Sequence, residues 1–272
     1  ALAIERKRSE NALRESERRL REITDNMTDL ITQTDVEGVI KYASPSWSRL
    51  VGYLPEEVLN TSYFEYLHET EIDSVMNAFA MAMNRRSSGV VEHRFRHKDG
   101  HFLWLEMHGS LILGDDNEIM GSVFAGVDIT ERKRREKMQQ ALYLISKSAV
   151  VARDLDTLYS LIHTIVAELI PANNLYIALF DPITQMVSFP YFVDEQDTPP
   201  EPSHIGRRVT DYLIRTGKPL LFVPDEIYSL VEKGEIEIEG PMPYSWLGVP
   251  LKTSDDVILG ALVVQDYSGQ AT

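Results

Sequence analysis

Two stretches of the chain repeat apolar residues at the spacing of a narrow helical stripe. Within residues 1–27 the apolar positions recur every seven residues, at Leu13, Leu20 and Met27. Within residues 131–150 they recur at alternating spacings of four and three, at Met138, Leu142, Ile145 and Ala149. A stripe this narrow is typical of a coiled-coil seam or of a helix laid on a sheet, because a helix in a globular core needs a wider apolar face. Both stretches are therefore predicted to be long helices.

The segment between these helices follows the alternating pattern of short strands, interrupted by helices. The predicted strands are residues 29–34, 38–43, 90–97, 101–113 and 119–129. One long amphipathic helix is predicted over residues 69–86. Asp99-Gly100 separates the third strand from the fourth, and this dipeptide between alternating apolar residues is a strong hairpin signal. The order of elements predicts an antiparallel sheet with helices on one face.

A second unit of the same class follows the second narrow-stripe helix. Its predicted helices are residues 155–170, 209–215 and 227–233, and its predicted strands are residues 175–180, 186–192, 220–223, 246–251 and 257–265. The predicted fold class is therefore α+β, with two domains that are each a mainly antiparallel sheet with helices, joined by amphipathic helices. The expected divisions are a coiled-coil-like helix over residues 1–22, a first domain over 23–130, a linker helix over 131–150 and a second domain over 151–272.

The composition removes several classes of function. The chain of 272 residues contains no cysteine, which disfavours covalent haem, covalent bilin and flavin photochemistry that depends on a cysteine. Its net charge of −15 argues against nucleic-acid binding, which needs clustered Lys and Arg. No apolar run approaches the roughly 20 residues of a membrane helix, and the N-terminal pattern is not that of a secretory leader. We therefore expect a cytoplasmic protein with no membrane contact within this chain.

A series of short motifs between residues 23 and 134 resembles the PAS family, including its C-terminal PAC motif. In chain order they are Tyr42-Ala43-Ser44-Pro45, Pro55-Glu56-Glu57, His97-Lys98-Asp99-Gly100, Trp104-Leu105-Glu106 and Asp128-Ile129-Thr130-Glu131-Arg132-Lys133. Each motif is short, but their order over about a hundred residues is specific.

From about residue 142 onward the chain resembles a GAF domain. The matching motifs are Tyr176-Ile177-Ala178-Leu179-Phe180-Asp181, Thr216-Gly217-Lys218-Pro219 and Leu247-Gly248-Val249-Pro250-Leu251. A GAF domain normally adds one more helix after the position of Tyr267, so we expect the C-terminal helix to be missing.

Tandem PAS and GAF domains on charged connecting helices resemble the input region of a bacterial or archaeal sensor histidine kinase. The resemblance implies a region that binds a small ligand or a partner and passes the change along its helices. No catalytic residue is predicted, because the chain has neither a P-loop pattern nor a kinase phosphoacceptor motif; the kinase activity is expected of the full-length protein. Two alternatives stay open: a ligand-free dimerisation scaffold, and the input region of a nucleotide cyclase or transcription regulator.

The narrow-stripe helices also predict how the chain associates. An isolated stripe gains stability chiefly by burial against a partner. We therefore expect a homodimer that forms through residues 1–27 and 131–150.

The candidate ligand contacts of the PAS segment centre on one histidine. His93 stands where the family often has an aromatic residue, and strand alternation directs it toward the helices with Phe79 and Phe95. A buried polar group needs a partner. Both a ligand contact and a hydrogen-bonded core histidine satisfy that requirement, and the cofactor stays unknown.

In the GAF segment the candidate ligand contacts are Ser188, Tyr191 and Trp246. The first two are candidates for polar anchors in an apolar cleft near the tryptophan. Ordinary packing explains them equally well.

The histidines around the predicted hairpin do not by themselves predict a metal site. His93, His97 and His101 recur every four residues, which on a helix would suggest metal ligands. A hairpin turn intervenes here, so we interpret them as exposed hairpin residues and predict no metal.

The signal-relay residues are predicted at the end of the last PAS strand. The family resemblance marks Asp128, Ile129 and Thr130 as the point where the strand passes into the linker helix, and Thr130 is suited to cap that helix. Strand alternation places Trp104 on the outer face of the sheet. We expect residues 1–27 to cover Trp104 there, because a large exposed aromatic would otherwise be unexplained.

Overall fold

The described part of the structure, a computed structural model, comprises residue 15, residues 28–152 and residues 154–269, without the side chains of 149–151. The predicted helix over residues 1–27 lies almost wholly outside it, as does its proposed contact with Trp104. The chain divides into two compact units, with the division between Arg135 and Glu136. Each unit contains an antiparallel sheet with helices, so the predicted α+β class is confirmed.

The first unit is built on a five-stranded antiparallel sheet in the order β2-β1-β5-β4-β3. Its strands are β1 (Leu30–Thr34), β2 (Ile40–Ala43), β3 (Gly89–Arg96), β4 (Phe102–Leu113) and β5 (Ile119–Asp128). The helices between β2 and β3 are α1 (Ser46–Leu50), α2 (Pro55–Val58), two short 3₁₀ helices (Tyr63–Tyr66 and Glu69–Glu71) and α3 (Ile72–Arg85). The Asp99-Gly100 hairpin joins β3 to β4 as predicted.

Alternation along the strands separates a core face from an outer face. On β4, Leu105 and Met107 are buried in the core, whereas Glu106 and Trp104 lie on the opposite face. Trp47 of α1 anchors the helices to the core face, because its indole N–H donates to Thr32 Oγ1 at 3.1 Å and both residues are fully buried. The core of this unit therefore lies between the sheet and the helices.

Helix α3 is shorter and less buried than its apolar pattern predicts. Residues 69–71 form a 3₁₀ turn, and Glu71 at its end accepts hydrogen bonds from the backbone N–H and Nε of Arg94 on β3, at 2.6 and 2.8 Å. Of the apolar side chains on α3 only Val75 is buried, and Met76 is 45% exposed. The face of α3 that carries Phe79 and Ala82 borders a cavity.

The second unit contains a six-stranded antiparallel sheet in the order β8-β7-β6-β11-β10-β9. Helix α4 (Thr130–Val151) crosses the division between the units, and the second sheet then alternates with helices. The elements are α5 (Leu155–Ala167), β6 (Asn174–Asp181), β7 (Met186–Val193), β8 (Ser203–His204), α6 (Val209–Thr216), β9 (Leu220–Phe222), α7 (Pro224–Glu232), β10 (Ser245–Lys252) and β11 (Ile258–Asp266). Within the described ranges no helix is apolar over a length that could span a membrane.

Strand β6 is buried on both faces, which divides the second unit into two apolar clusters. Tyr176 and Ala178 pack in the cluster that contains α6 and α7, whereas Leu175 and Ile177 pack in the cluster that contains α5. The start of α6 is fixed by Asp211, a fully buried carboxylate that accepts hydrogen bonds from the backbone N–H groups of Gly206 and Arg208. The Arg208 guanidinium neutralises it through two further hydrogen bonds.

Candidate functional site

A cavity of about 80 Å³ lies between α3 and the core face of the first sheet. The wall on the helix side includes Phe79 and Ala82, and the wall on the sheet side includes Thr34, His93 and Phe124. Tyr63, from the first 3₁₀ helix, stacks on Phe124 with ring centroids 6.3 Å apart. The cavity is therefore apolar, with a small number of polar groups on its wall.

His93 and Tyr63 form a buried polar pair at this cavity. Nε2 of His93 lies 2.9 Å from the hydroxyl oxygen of Tyr63, and the His93 side chain is completely inaccessible to solvent. Burial lowers the pKa of His93 to about 4, although the negative charge of Glu71 acts in the opposite direction. Burial also raises the pKa of Tyr63 far above its ordinary value. Both side chains are therefore neutral at neutral pH.

The pair leaves hydrogen-bonding capacity unused. Among the described residues, Nδ1 of His93 has no hydrogen-bond partner. If the Tyr63 hydroxyl donates to Nε2, the hydrogen on Nδ1 lacks an acceptor; if Nε2 donates to the hydroxyl, the phenolic hydrogen lacks one. In either tautomer, one hydrogen of the pair has no acceptor within the described ranges.

Thr34 adds a second unpaired group to the same cavity wall. Its Oγ1 is buried and has no partner in the part of the chain that the structure describes. Leaving one such group unpaired costs about 1–3 kcal/mol. Two such unpaired groups at one small cavity indicate that a polar atom of a bound molecule would satisfy them.

The volume of the cavity limits what fits there. A cavity of about 150 Å³ in another protein accepts benzene. At about 80 Å³, this one suits a smaller molecule of a few heavy atoms. Its present shape is too small for the large planar cofactors haem and flavin.

The structure brings together two of the three ligand-contact candidates in the first unit. Phe79 and His93 line the cavity, whereas Phe95 packs in the adjacent core, stacked on Tyr66 at 5.4 Å and edge-on to Trp47 at 5.5 Å. Tyr63 and Thr34 also line the cavity and were not among the residues predicted from the sequence. For Thr34 a signal existed, since alternation from buried Leu30 places it on the core face; for Tyr63 the irregular helical segment offered none.

A larger cavity of about 300 Å³ lies in the second unit. Its wall includes Tyr176, Phe189 and Trp246, and it also reaches Arg208 and Glu237. The Arg208 guanidinium lies 5.2 Å from the centre of the Phe189 ring. The polar groups here are paired: Tyr176 bonds Thr210 at 2.8 Å and accepts from the Trp246 indole at 3.3 Å. This cavity can accommodate a drug-sized ligand.

Ser188 and Tyr191 do not line this cavity, contrary to the expectation that placed them near Trp246. Tyr191 packs in the α5 cluster, and its hydroxyl lies 2.8 Å from Nδ1 of His163. Ser188 alternates with Val187 and Phe189, which belong to the opposite cluster. A register shift between β6 and β7 returns Phe192, rather than Tyr191, to the cavity side.

The junction between β5 and α4 is joined to β4 by hydrogen bonds. The Ile129 N–H donates to the Trp104 carbonyl at 2.8 Å, and the Trp104 N–H donates to Thr130 Oγ1 at 2.9 Å. Ile129 is buried, and Asp128 accepts from the Thr130 N–H at 2.8 Å. The expected capping role of Thr130 is therefore wrong: its hydroxyl bonds β4, and Asp128 accepts the backbone N–H at the helix start.

Charged side chains connect the first turn of α4 to the outer face of the sheet. Arg132 contacts Glu92 and Glu106 at 2.7 Å each, and Lys133 contacts Glu92 at 2.5 Å. Lys133 also lies 5.4 Å from the Trp104 ring centre, with the Arg94 guanidinium at 5.7 Å. Trp104 is therefore partly covered by cations from β3 and α4.

Each of the two units is an antiparallel sheet with helices and has a cavity of its own. Two family models match the chain in that order: the PAS fold over residues 40–123 and the GAF domain over residues 154–272. Residues 40–123 thus match the PAS fold and residues 154–272 match the GAF domain, so the predicted tandem of a PAS and a GAF domain is confirmed. Both are sensory, non-catalytic domains.

Known proteins are similar to parts of this chain. Sporulation kinase C of Bacillus subtilis (strain 168) is 31% identical over 115 residues, which are 42% of this chain and 26% of the kinase. The uncharacterized protein y4lL of Sinorhizobium fredii (strain NBRC 101917 / NGR234) is 28% identical over 49% of this chain and 16% of its own length. A crystal structure of a PAS domain from Colwellia psychrerythraea is 24% identical, covers 42% of this chain and 97% of its own, and has a TM-score of 0.40. The chain thus spans about a quarter or less of these two curated relatives.

Replacing Thr34 by Val tests whether its hydroxyl is unpaired. We expect Thr34→Val to leave the free energy of unfolding unchanged or to raise it by up to about 1 kcal/mol, because an unsatisfied buried hydroxyl is removed. The matched control is Thr32→Val on the same strand, which deprives the buried Trp47 indole of its acceptor and should cost about 1–2 kcal/mol. Urea unfolding followed by tryptophan fluorescence measures both. Equal losses in the two variants would contradict the assignment.

The buried, neutral His93 makes stability depend on pH. Between its unfolded pKa of about 6.5 and its folded pKa of about 4, the unfolded chain binds a proton that the folded chain does not. Stability therefore falls as the pH is lowered through this window, by about 2 kcal/mol between pH 7.5 and pH 5. The double variant Tyr63→Phe/His93→Leu should lack this component of the pH dependence. Urea unfolding at both pH values measures the difference, and parallel curves for the two proteins would refute it.

Proposed function

We propose that this chain is the sensory input and signal-relay region of a larger sensor histidine kinase. The observation that carries the proposal is the cavity under α3, where Thr34 and the His93–Tyr63 pair present buried, unsatisfied polar atoms within the described ranges. In this proposal residues 23–130 are the PAS/PAC domain, 131–150 the linker helix and 151–272 the GAF domain. The protein acts in the cytoplasm.

The assignment of a kinase output rests on the similarity to sporulation kinase C. Sporulation kinase C matches this chain over 26% of its own length, so the remaining three quarters of that protein lie outside the match. PAS and GAF domains sense and do not catalyse, so phosphoryl transfer belongs to another part of the full-length protein.

The ligand is a small, neutral and largely apolar molecule with at least one hydrogen-bond acceptor. The volume of about 80 Å³ sets its size, and the aromatic wall of Phe79 and Phe124 sets its apolar character. The unsatisfied hydrogen of the His93–Tyr63 pair requires the acceptor. A charged ligand would be left without a counter-charge among the cavity residues, at a high desolvation cost.

The signal leaves the sheet through α4. Glu92 and Arg94 alternate with His93 on β3, so a shift of this strand at the cavity moves the residues that contact Arg132, Lys133 and Trp104. Ligand binding needs to separate two helix arrangements by only a few kcal/mol.

Helix α4 is proposed to carry the signal as part of a parallel homodimer. Two residues of its apolar stripe are open in the single chain, with Met138 52% and Leu142 58% exposed. A second copy of the same stripe would cover these side chains in a coiled coil.

A pair of probes tests the sensory role of the cavity. We expect butanone, which offers a carbonyl acceptor, and xenon, which offers none, both to shift the amide resonances of residues that line the cavity. In Tyr63→Phe/His93→Leu the polar pair is replaced by apolar groups of similar shape. Butanone should then bind at least tenfold more weakly while xenon binding is retained. If neither probe shifts these resonances, the result favours the alternative in which the chain is a ligand-free dimerisation scaffold.

Trp104→Ala tests the relay. Hydrogen exchange of peptides covering residues 128–136 should differ between the wild type and Tyr63→Phe/His93→Leu, because the two differ at the cavity. We expect this difference to disappear when Trp104→Ala is introduced into both proteins. Exchange in β1 and β5 should not become faster, because Trp104 lies on the outer face of the sheet. The matched control is Phe102→Ala, two residues away on the same face and packed on His68, which should preserve the response. Global acceleration of exchange in Trp104→Ala would instead assign Trp104 to the core.

A further inference from the structure

Three side chains that the cavities do not use converge at the tip of the β3–β4 hairpin. His97 and His101 close this hairpin, with the His97 N–H donating to the His101 carbonyl at 2.8 Å. Their imidazole rings stack with centroids 4.5 Å apart. Nδ1 of each ring faces the same oxygen, Oδ1 of Asp99 in the turn, at 2.9 Å from His97 and 2.5 Å from His101. The structure thus places both histidines, which were expected to be exposed hairpin residues, against one carboxylate oxygen.

The orientation of His97 is set by its packing. Gly52 adopts a left-handed conformation with φ of +77°, and a Cβ on it would lie 2.9 Å from Cε1 and Nε2 of His97. Because glycine has no Cβ, the edge of the His97 ring that carries Nε2 packs against Gly52. The edge that carries Nδ1 then points at Asp99. Lys98 fixes the turn beside it, through its N–H to the Val51 carbonyl at 3.0 Å and its ammonium to Glu57 at 2.7 Å. One ligand position is therefore preorganised by the fold.

The hydrogen bonds around His97 leave a place for a cation. The Asp99 backbone N–H lies 3.2 Å from Nδ1 of His97 in donating geometry, so in the tautomer that accepts this bond the nitrogen presents a lone pair. The same nitrogen lies 2.9 Å from a carboxylate oxygen, which also presents lone pairs. Two such atoms repel each other unless positive charge lies between them.

The donor atoms match borderline divalent metals. One nitrogen from each histidine and one carboxylate oxygen lie within 4.8 Å of one another. Zinc binds imidazole nitrogen and carboxylate oxygen at about 2.0–2.2 Å, which places ligand atoms roughly 3 Å apart. The contact from His97 to Asp99 already has that length. The ring of His101 packs on that of His97, but its side chain is 53% exposed, so solvent borders it on the side toward which a shift of about half an ångström would move it.

We propose that His97, Asp99 and His101 form a binding site for one divalent cation of the zinc and nickel type. Imidazole and carboxylate ligands favour these ions over magnesium and calcium, which prefer oxygen alone. Asp99 is 62% exposed, so the remaining coordination positions face solvent and the ion exchanges freely. The site is independent of the ligand proposed for the PAS cavity.

Calorimetric titration of the full chain with zinc chloride, and separately with nickel chloride, tests the site. We expect one ion bound per chain, and magnesium chloride should give no binding heat. Asp99→Asn and His101→Ala should each weaken binding at least tenfold, because each removes one of three ligands. His108→Ala is the matched control, since His108 also pairs with a carboxylate on β4, Glu106 at 3.0 Å, and it should retain wild-type affinity.

Histidine NMR provides a second readout on the same proteins. Zinc should shift the imidazole resonances of His97 and His101 and leave those of His108 unchanged. Circular dichroism of each variant establishes that it is folded. The proposal is overturned by the absence of heat and shift up to about 1 mM ion, by variants that keep wild-type affinity, or by an equal loss of affinity in His108→Ala.

Discussion

The hydrogen bond between Tyr63 and His93 is the interaction on which the arrangement of the PAS domain depends. It joins an irregular helical segment to β3 in the interior, 2.9 Å between Nε2 and the hydroxyl oxygen. Because burial keeps both side chains neutral, the pair stabilises the helices over the sheet without a buried charge. Within the described ranges it also leaves one of its own hydrogens without an acceptor in either tautomer.

Strand β3 lines the cavity on one face and contacts the proposed relay residues on the other. On β3, His93 faces the cavity while Glu92 and Arg94 face outward, where they contact Arg132, Lys133 and Trp104. A strand is pleated, so neighbouring residues on opposite faces move together. The proposed ligand contact and the proposed relay contacts are thereby only one residue apart in sequence, although they lie on different faces of the sheet.

The two domains differ in how completely the buried polar groups at their cavities are hydrogen-bonded. In the GAF domain, Asp211 is fully buried yet paired with Arg208 and two backbone N–H groups, and Tyr176 is bonded to Thr210. Its larger cavity is therefore bounded by satisfied groups, whereas the smaller PAS cavity has unsatisfied ones within the described ranges. Since an unpaired group costs free energy until a ligand satisfies it, the PAS cavity is the stronger candidate for a ligand-driven change.

The amino-acid sequence by itself determined the two α+β domains, the order of most strands, the Asp99-Gly100 hairpin and the family. Local alternation, turn residues and ordered motifs carry that information, because they act between neighbours in the chain. It also indicated His93 and Phe79, since strand and helix periodicity assign each a face. Only the tertiary structure decided that Tyr63 pairs with His93, that Tyr191 faces α5 rather than Trp246, and that His97 and His101 share Asp99. These outcomes depend on an irregular segment, a register shift and the packing of one ring on Gly52, which periodicity does not encode.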